Sequence, residues 1–496
     1  MTRLLRGRQA ITGALQIRHS GDAFRRKGIG PMVHSSGLCR RKALLAFSLF
    51  LLLVLPLQAA ELTLPAFPGA EGAGAFTPGG RGGKVYLVTT LADYLPGKEP
   101  VIPGSLRAAV EAKEARVVVF RVSGYIDLKT KLGVRNPYIT IAGQTAPGDG
   151  ICLRNYEFYI GNTHDCIVRH LRCRTGDHTS KAGDLDALTL WGAKNVIIDH
   201  CSATWATDEC LSVTNDSDNV TVQWCIIAEG LTKHSYGSLI GSYGGKLTFH
   251  HNLYAHNVSR NPRPTGYHYV KGHENDPGPV IDFRNNVIYN WGSVAGYTGS
   301  GDEASSPEKH ALNYVGNYLK PGPSSPARWA KTAFLLHKGA VTRLYADGNH
   351  MEGFPEGSAD NWRLIDDSRC PATKLTGPVP VAAMKTEDAP TAFKKVLADV
   401  GATVPVRDAV DTRIVNSTRD GTGKIAETLA DLGGWPELKT AEPPADSDSD
   451  GMPDAWEQKH GLNPADPSDN NKDADGDGYT NIEEFLNATN PMRGDH

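Results

Sequence analysis

The chain has 496 residues, 40% hydrophobic and 22% charged, the composition of a globular chain long enough for one large domain and a small one. Its net charge of −3 conceals opposed ends: residues 1–42 carry +9, residues 446–496 carry −10, and the body between them is near −2. Such a body offers no basic surface for nucleic acid, and an acidic substrate would need local cations or a metal.

Residues 1–60 read as a signal region. Arg40-Arg41-Lys42 precede a 15-residue apolar run, Ala43 to Leu57, and the small-residue exit Gln58-Ala59-Ala60. The run is short of the roughly 20 residues a membrane span needs. It predicts cleavage, a secreted product and no membrane attachment afterwards. Met32 stands where such a signal normally begins and is the expected true start. Seven cysteines remain once Cys39 leaves, an odd count that leaves at least one without a partner in the chain.

Residues 61–440 form the expected main domain. A short alternating apolar pattern recurs along it and ends at Cys173, Cys201, Cys225, Asn252, Asn286, Asn317 and Asn349, in steps of 28, 24, 27, 34, 31 and 32 residues. Each copy is about as long as a short strand, and no helical period of useful length separates the copies. The pattern predicts an all-β fold, a right-handed parallel β-helix solenoid with one repeat per coil. The Cys and Asn residues would then stack on successive rungs, the cysteines as small buried filler and the asparagines as an amide ladder. Residues 380–440 include a helical stretch, 392–400, with Gly401 as its C-cap. They read as a cover on the solenoid, and residues 441–445, rich in proline, as a linker.

Asp186, Asp208, Lys233 and Arg260 lie 22, 25 and 27 residues apart. On a solenoid they form a column, carboxylates at one end and cations at the other. Asp184, Asp186 and Asp208 meeting across adjacent rungs make an oxygen site suited to Ca2+. Arg260, Arg263 and Lys233 would face the carboxylates of an acidic sugar polymer.

Five segments resemble pectate lyases of polysaccharide lyase family one. They are residues 140–150 (TIAGQTAPGDG), Asp184-Leu-Asp186, residues 196–201 (VIIDHC), residues 247–252 (LTFHHN) and Arg260-Asn-Pro-Arg263. The resemblance implies Ca2+-dependent β-elimination on polygalacturonate, an acidic plant-type polysaccharide. By position it makes Asp184, Asp186 and Asp208 metal ligands, Arg260 the base, Arg263 and Lys233 substrate-binding cations, and Asp199-His200 a structural pair. Lys233 is the alternative base. Two positions depart from the family pattern: Ser212 stands where a further Asp ligand is usual, with Glu209 as the alternative donor, and Pro264-Thr265 stand where a third cation is usual. The competing readings are a calcium-free lyase on esterified pectin and a non-catalytic calcium-dependent polysaccharide-binding or adhesion protein. A monomer is expected.

Residues 446–496 read as a small C-terminal calcium-loop module. Asp446, Asp448, Asp450, Asp454 and Glu457 occupy positions 1, 3, 5, 9 and 12 of an EF-type loop with Gly451 at 6. Asp473, Asp475, Asp477, Asn481 and Glu484 repeat the pattern 27 residues on, with Gly478 at 6. The pair resembles extracellular EF-hand-like or dockerin-like modules, which leaves a docking partner open.

Overall fold

The computed structural model describes residues 64–177, 184–231, 234–267, 271–299 and 307–494. The signal region, Met32 and Lys233 lie outside the described residues. The strands are short, two to eight residues. Each pairs in parallel with strands of neighbouring coils, in sheets of eleven, nine, six and three strands. One coil gives Lys194–Asp199 to the first sheet, Ser202–Thr204 to the second and Leu211–Thr214 to the third. Repetition of that path builds a parallel β-helix of about nine turns. Among the described residues no helix is long and apolar enough to cross a membrane.

The corner between the first and second sheets recurs coil after coil. His170, His200, Trp224 and His251 occupy it at φ between +50° and +53°, a conformation that costs a non-glycine residue roughly 1–2 kcal/mol. Ring stacking offsets part of that cost. His170 and His200 are 5.0 Å apart, His200 and Trp224 5.9 Å, and Trp224 and His251 4.4 Å, each pair nearly coplanar.

The residue after this corner turns into the core and forms the ladder. Backbone N–H of Cys201 donates to Cys225 Sγ (3.4 Å), that of Cys225 to Asn252 Oδ1 (2.9 Å), and that of Asn252 to Asn286 Oδ1 (3.0 Å). Asn317 and Asn349 continue the run, which ends on Asn361. Cys173 is not part of it. Register pairs Cys173 with Ala203 on the second sheet, two residues past the ladder position, which on that coil is Leu171. All seven described cysteines are free thiols and six of them are buried.

Other segments cover the outer faces. Phe67 and Ala66 pack on Ile167 and Ile197 of the first sheet. Met452, Ile482 and Leu486 pack on Val117, Val119 and Ala142 of the same sheet. The helices Ala389–Asp399 and Ala409–Asp420 lay Val396, Leu397, Val410 and Ile414 on Ile226, Leu253 and Tyr289, along the second sheet, so residues 380–440 are the cover their pattern predicts. Gly401, at φ +85°, follows the C-cap Val400. Arg174 locks the cover in place through buried ion pairs to Asp408 (2.6 Å) and Asp411 (2.7 Å).

Candidate active site on the third sheet

In the third sheet Leu188, Leu190, Leu211 and Val213 point into the core, so alternation turns Thr189, Trp191, Ser212 and Thr214 outward. Among the described residues no apolar cluster covers this face. An open groove of about 290 Å³ runs over it, lined by Lys131, Tyr159, Asp184, Asp186, Trp191, Asp208, Glu209, Ser212 and Tyr267 among others. The turns that lead into the strands carry the chemistry. Asp184 and Asp186 precede Leu188–Trp191, Asp208 and Glu209 precede Leu211–Thr214, His234 and Tyr236 precede Leu239–Ser242, and Arg260 precedes Arg263–Gly266.

Register decides which of these groups meet. Leu188 pairs with Leu211, so Glu209 rather than Asp208 stands opposite Asp186. Bridges from Glu209 to Tyr236 and from Tyr236 to Ser259 continue the row. Glu209 N–H donates to Asp186 Oδ1 (3.2 Å) and Thr189 Oγ1 to Asp186 Oδ2 (2.8 Å). Carboxylate oxygens of Asp186, Asp208 and Glu209 lie within 4.8 Å of one another, as do ligand atoms of Asp184, Asp208 and His234. His234 Nδ1 is 3.3 Å from Asp184 Oδ2 and 3.5 Å from Asp208 Oδ1.

The crowding shows in the acidities. Burial, then the Glu157 carboxylate, push Asp186 up to about 8, against the hydrogen bond from Thr189. Burial also raises Asp208, against the pull of Arg260 and His234. Carboxylates so close and so reluctant to ionise are a donor set that a hard divalent cation would satisfy. Ser212, the departure from the family pattern, is buried beside Asp186 and offers a hydroxyl where a carboxylate was expected.

Arg260 sits at φ +59°. Its guanidinium lies 3.8 Å over the Tyr236 ring, donates from Nε to Tyr297 Oη (3.1 Å) and forms an ion pair with Glu209. Arg263 pairs with Glu308 (3.3 Å). The column is therefore more compact than its spacing predicts: Arg260 reaches back to the carboxylates instead of standing rungs away. Glu209, His234, Tyr236 and Tyr297 complete the site. Glu209 and His234 adjoin residues whose spacing marked them, but nothing in a chain pattern singles out Tyr297, 37 residues past Arg260.

Asp199 lies elsewhere, buried at the corner of the first sheet and bonded to Arg169 Nε (2.8 Å), His200 Nδ1 (2.9 Å) and Gln223 Nε2 (2.7 Å). Burial opposes its charge, yet His200 and Arg169 outweigh burial and hold the carboxyl far below its usual range. The pair is held by these contacts at the corner, on a different sheet from the groove. A larger cavity, about 610 Å³, lies beside Arg413 and Lys424, where both cations are already paired, Arg413 with Glu229 and Lys424 with Asp431.

The tail carries a second set of carboxylates. Oxygens of Asp446, Asp448 and Asp450 lie within 4.8 Å of one another, as do those of Asp450, Glu457 and Asp469. Asp469 belongs to neither twelve-residue loop. Asp454 is engaged otherwise: its carboxylate accepts from Ser447 N–H and Oγ, both at 2.7 Å. In the second loop Asp473 accepts from the N–H groups of Gly476 (2.7 Å) and Gly478 (2.9 Å), Asp475 from Asp477 N–H (3.2 Å) and Asp477 from Tyr479 N–H (2.9 Å). Asn481 and Glu484 are buried beneath it.

A family model described as pectate lyase matches residues 128–276. A protein of Aspergillus flavus called probable pectate lyase C is 37% identical over 436 residues, 86% of this chain and 94% of the relative. The chain belongs to the pectate lyase family. A relative of the same name from Aspergillus terreus is 38% identical over 440 residues, 86% of this chain and 94% of that one. The solved structure of the major allergen from cedar pollen aligns over 67% of this chain and 92% of its own, at 20% identity and a TM-score of 0.49. Membership of the pectate lyase family makes the protein a polysaccharide lyase. Asp184, Asp186, Asp208, Arg260 and Arg263 all fall inside the stretch that the family model matches.

Proposed function

We propose that the protein is a secreted pectate lyase that cleaves (1→4)-α-D-galacturonan by Ca2+-dependent β-elimination and leaves 4,5-unsaturated oligogalacturonates. The observation that carries this reading is the meeting of Asp186, Asp208 and Glu209 in one open groove, with Arg260 paired to Glu209 at its side. Residues 1–60 support secretion by their signal pattern.

Asp184, Asp186 and Asp208 would hold the metal, with Glu209 in the place of the missing fourth carboxylate. Bound Ca2+ supplies the positive charge that makes the proton α to a sugar carboxylate acidic. Arg260 takes that C5 proton on a guanidinium nitrogen, the C5–H electrons form the C4–C5 double bond, and the O4-linked sugar departs with the C4–O4 pair. Arginine acts as a base only from its neutral form, which alkaline solution favours. Arg260 is paired with Glu209, and coordination of that carboxylate together with Asp186 and Asp208 would free the guanidinium for substrate. Arg263, and Lys233 by its position in the chain, bind carboxylates of neighbouring sugars. Trp191, 42% exposed in the groove, offers a ring face to a sugar. The tail loops are calcium loops in this reading, held by Asp446, Asp448, Asp450 and Glu457 and by Asp473, Asp475, Asp477, Asn481 and Glu484.

The test is ultraviolet absorbance of the unsaturated product during incubation with polygalacturonate at alkaline pH, with and without EGTA. A calcium-dependent rise that disappears in Arg260→Ala is the expected result. Reducing ends released with no absorbance change would mean hydrolysis and overturn the reading.

A further inference from the structure

We propose that metal in the C-terminal tail is a clamp. It is held by Asp446, Asp448, Asp450, Glu457 and, from between the two loops, Asp469, and it locks the tail onto the outer face of the first coils of the β-helix. The proposal rests on the reading of the tail loops as calcium loops and deepens it in two respects: it adds a ligand outside the loop pattern, and it gives the ion a mechanical task in the lyase domain.

The first line of support is a set of buried oxygens with nothing to bond. Glu457 is 0% exposed, Asp450 2% and Asp469 5%. Both carboxylate oxygens of Glu457, both of Asp448, Oδ2 of Asp450 and Oδ1 of Asp469 lack a hydrogen-bond partner. A buried charged oxygen without a partner is strongly unfavourable, and Asp450 joins the two groups in which these carboxylates approach within 4.8 Å, Asp446 with Asp448 and Glu457 with Asp469. The remaining oxygens are used to shape the site. Asp469 Oδ2 accepts from Asn463 N–H (3.1 Å), Asp450 Oδ1 from Met452 N–H (2.8 Å), and the Asp446 oxygens from the N–H groups of Asp450 (3.2 Å) and Gly451 (3.3 Å). Oxygen donors in this number suit Ca2+ and are too many and too hard for zinc or copper.

The second line is the interleaving of ligands with docking residues. Met452, between Asp450 and Glu457, packs on Val117, Val119 and Ala142 with Ile482 and Leu486. A Cβ on Gly451 would lie 3.0 Å from Val85 and 3.3 Å from Val119, so the loop backbone itself touches the sheet. Arg81 pairs with Glu483 at 2.8 Å, Arg121 reaches Asp446 at 3.7 Å, and Arg169 donates to Asn487 at 3.0 Å. The two loops are joined through the extra ligand: Asn470 Nδ2 donates to Asp450 O (3.0 Å) and Asn481 Nδ2 to Asp469 O (2.8 Å). Without the ion, repulsion among these carboxylates opens the loop that carries Met452, and the apolar face of the first coils loses its cover.

The experiment uses full-length Asp186→Asn, in which the lyase site is weakened and the tail is intact. Calcium bound per chain is measured by equilibrium dialysis and the melting midpoint by calorimetry, with calcium and with EGTA. Amide hydrogen exchange of Val117–Phe120 is followed in the same two conditions. The expected results are calcium retained by Asp186→Asn, a midpoint lower by roughly 5 °C in EGTA, and faster exchange in Val117–Phe120. Adding Asp469→Asn should lower calcium affinity at least tenfold and move the midpoint in calcium toward the EGTA value. Calcium bound with no change in midpoint or exchange would overturn the clamp while the loop reading stands. Unchanged affinity in the Asp469→Asn chain would remove Asp469 from the site. No calcium bound by Asp186→Asn would overturn clamp and loop reading together.

Discussion

Arg260 is held by three unlike contacts: the Glu209 carboxylate, the Tyr236 ring and the Tyr297 hydroxyl. A side chain so positioned loses little orientational entropy when a ligand arrives. Arg260→Ala is expected to lower kcat by about 10²–10⁴, read by product absorbance at saturating polymer. The same change strands Glu209, which is 4% exposed. The calcium-free variant should therefore also melt earlier, and calcium should restore part of that loss by giving Glu209 a new partner.

At the same scale His200 sets a pH dependence of stability. Burial works against its charge, but Asp199 and Asp399 outweigh burial and push it up to about 9. Because the folded value lies above the unfolded one, its contribution is complete below about pH 6.5 and disappears as pH rises through about 9. The shift corresponds to on the order of 3 kcal/mol. Denaturant midpoints should fall across that window, and His200→Gln should flatten the slope. A flat profile in the parent protein would show that the Asp199–His200 pair is not charged.

At the scale of the element, the ladder residues work as a chain. Asn286 Nδ2 donates to Phe249 O (2.9 Å) and Asn317 Oδ1 (3.2 Å), while its Oδ1 accepts from Asn252 N–H and Nδ2, both at 3.0 Å. Asn286→Ala leaves several buried groups without partners, each worth about 1–3 kcal/mol. Chemical denaturation should show a loss of about 3 kcal/mol or more with unchanged far-ultraviolet dichroism. The ladder was legible from Cys201 onward because its members are polar or small where neighbours are large and apolar. Cys173 was misplaced for a physical reason. Leu171 and Cys173 both turn inward, and a pattern of period two cannot tell a residue at the corner from one two positions further on the next strand.

Among the described residues, the groove lies on the one face of the β-helix that no apolar cluster covers. The first sheet is covered by residues near Phe67 and by the tail, and the second by two helices. Removing residues 446–496 uncovers Val117, Val119 and Ala142, at roughly 1.5–3 kcal/mol for each fully buried valine. The shortened chain should melt at lower temperature and bind an apolar dye that the full chain does not. An unchanged melt would mean that the tail contributes nothing to the β-helix.

The chain by itself determined the architecture, because one coil cannot bury its own apolar residues and a repeat of short apolar runs has to stack. One-coil spacing also put Asp186, Asp208 and Arg260 at neighbouring heights along the solenoid, whereas Lys233, the fourth member of that spacing, lies outside the described residues. Tertiary structure alone decided which of them touch. A turn one residue longer brings Glu209, not Asp208, opposite Asp186, and side-chain reach returns Arg260 to that carboxylate. Asp469 meets Glu457 across a turn that no loop pattern spans. Spacing fixes position along the axis to within a rung, whereas contact depends on turn length and side-chain direction, which only the folded chain sets.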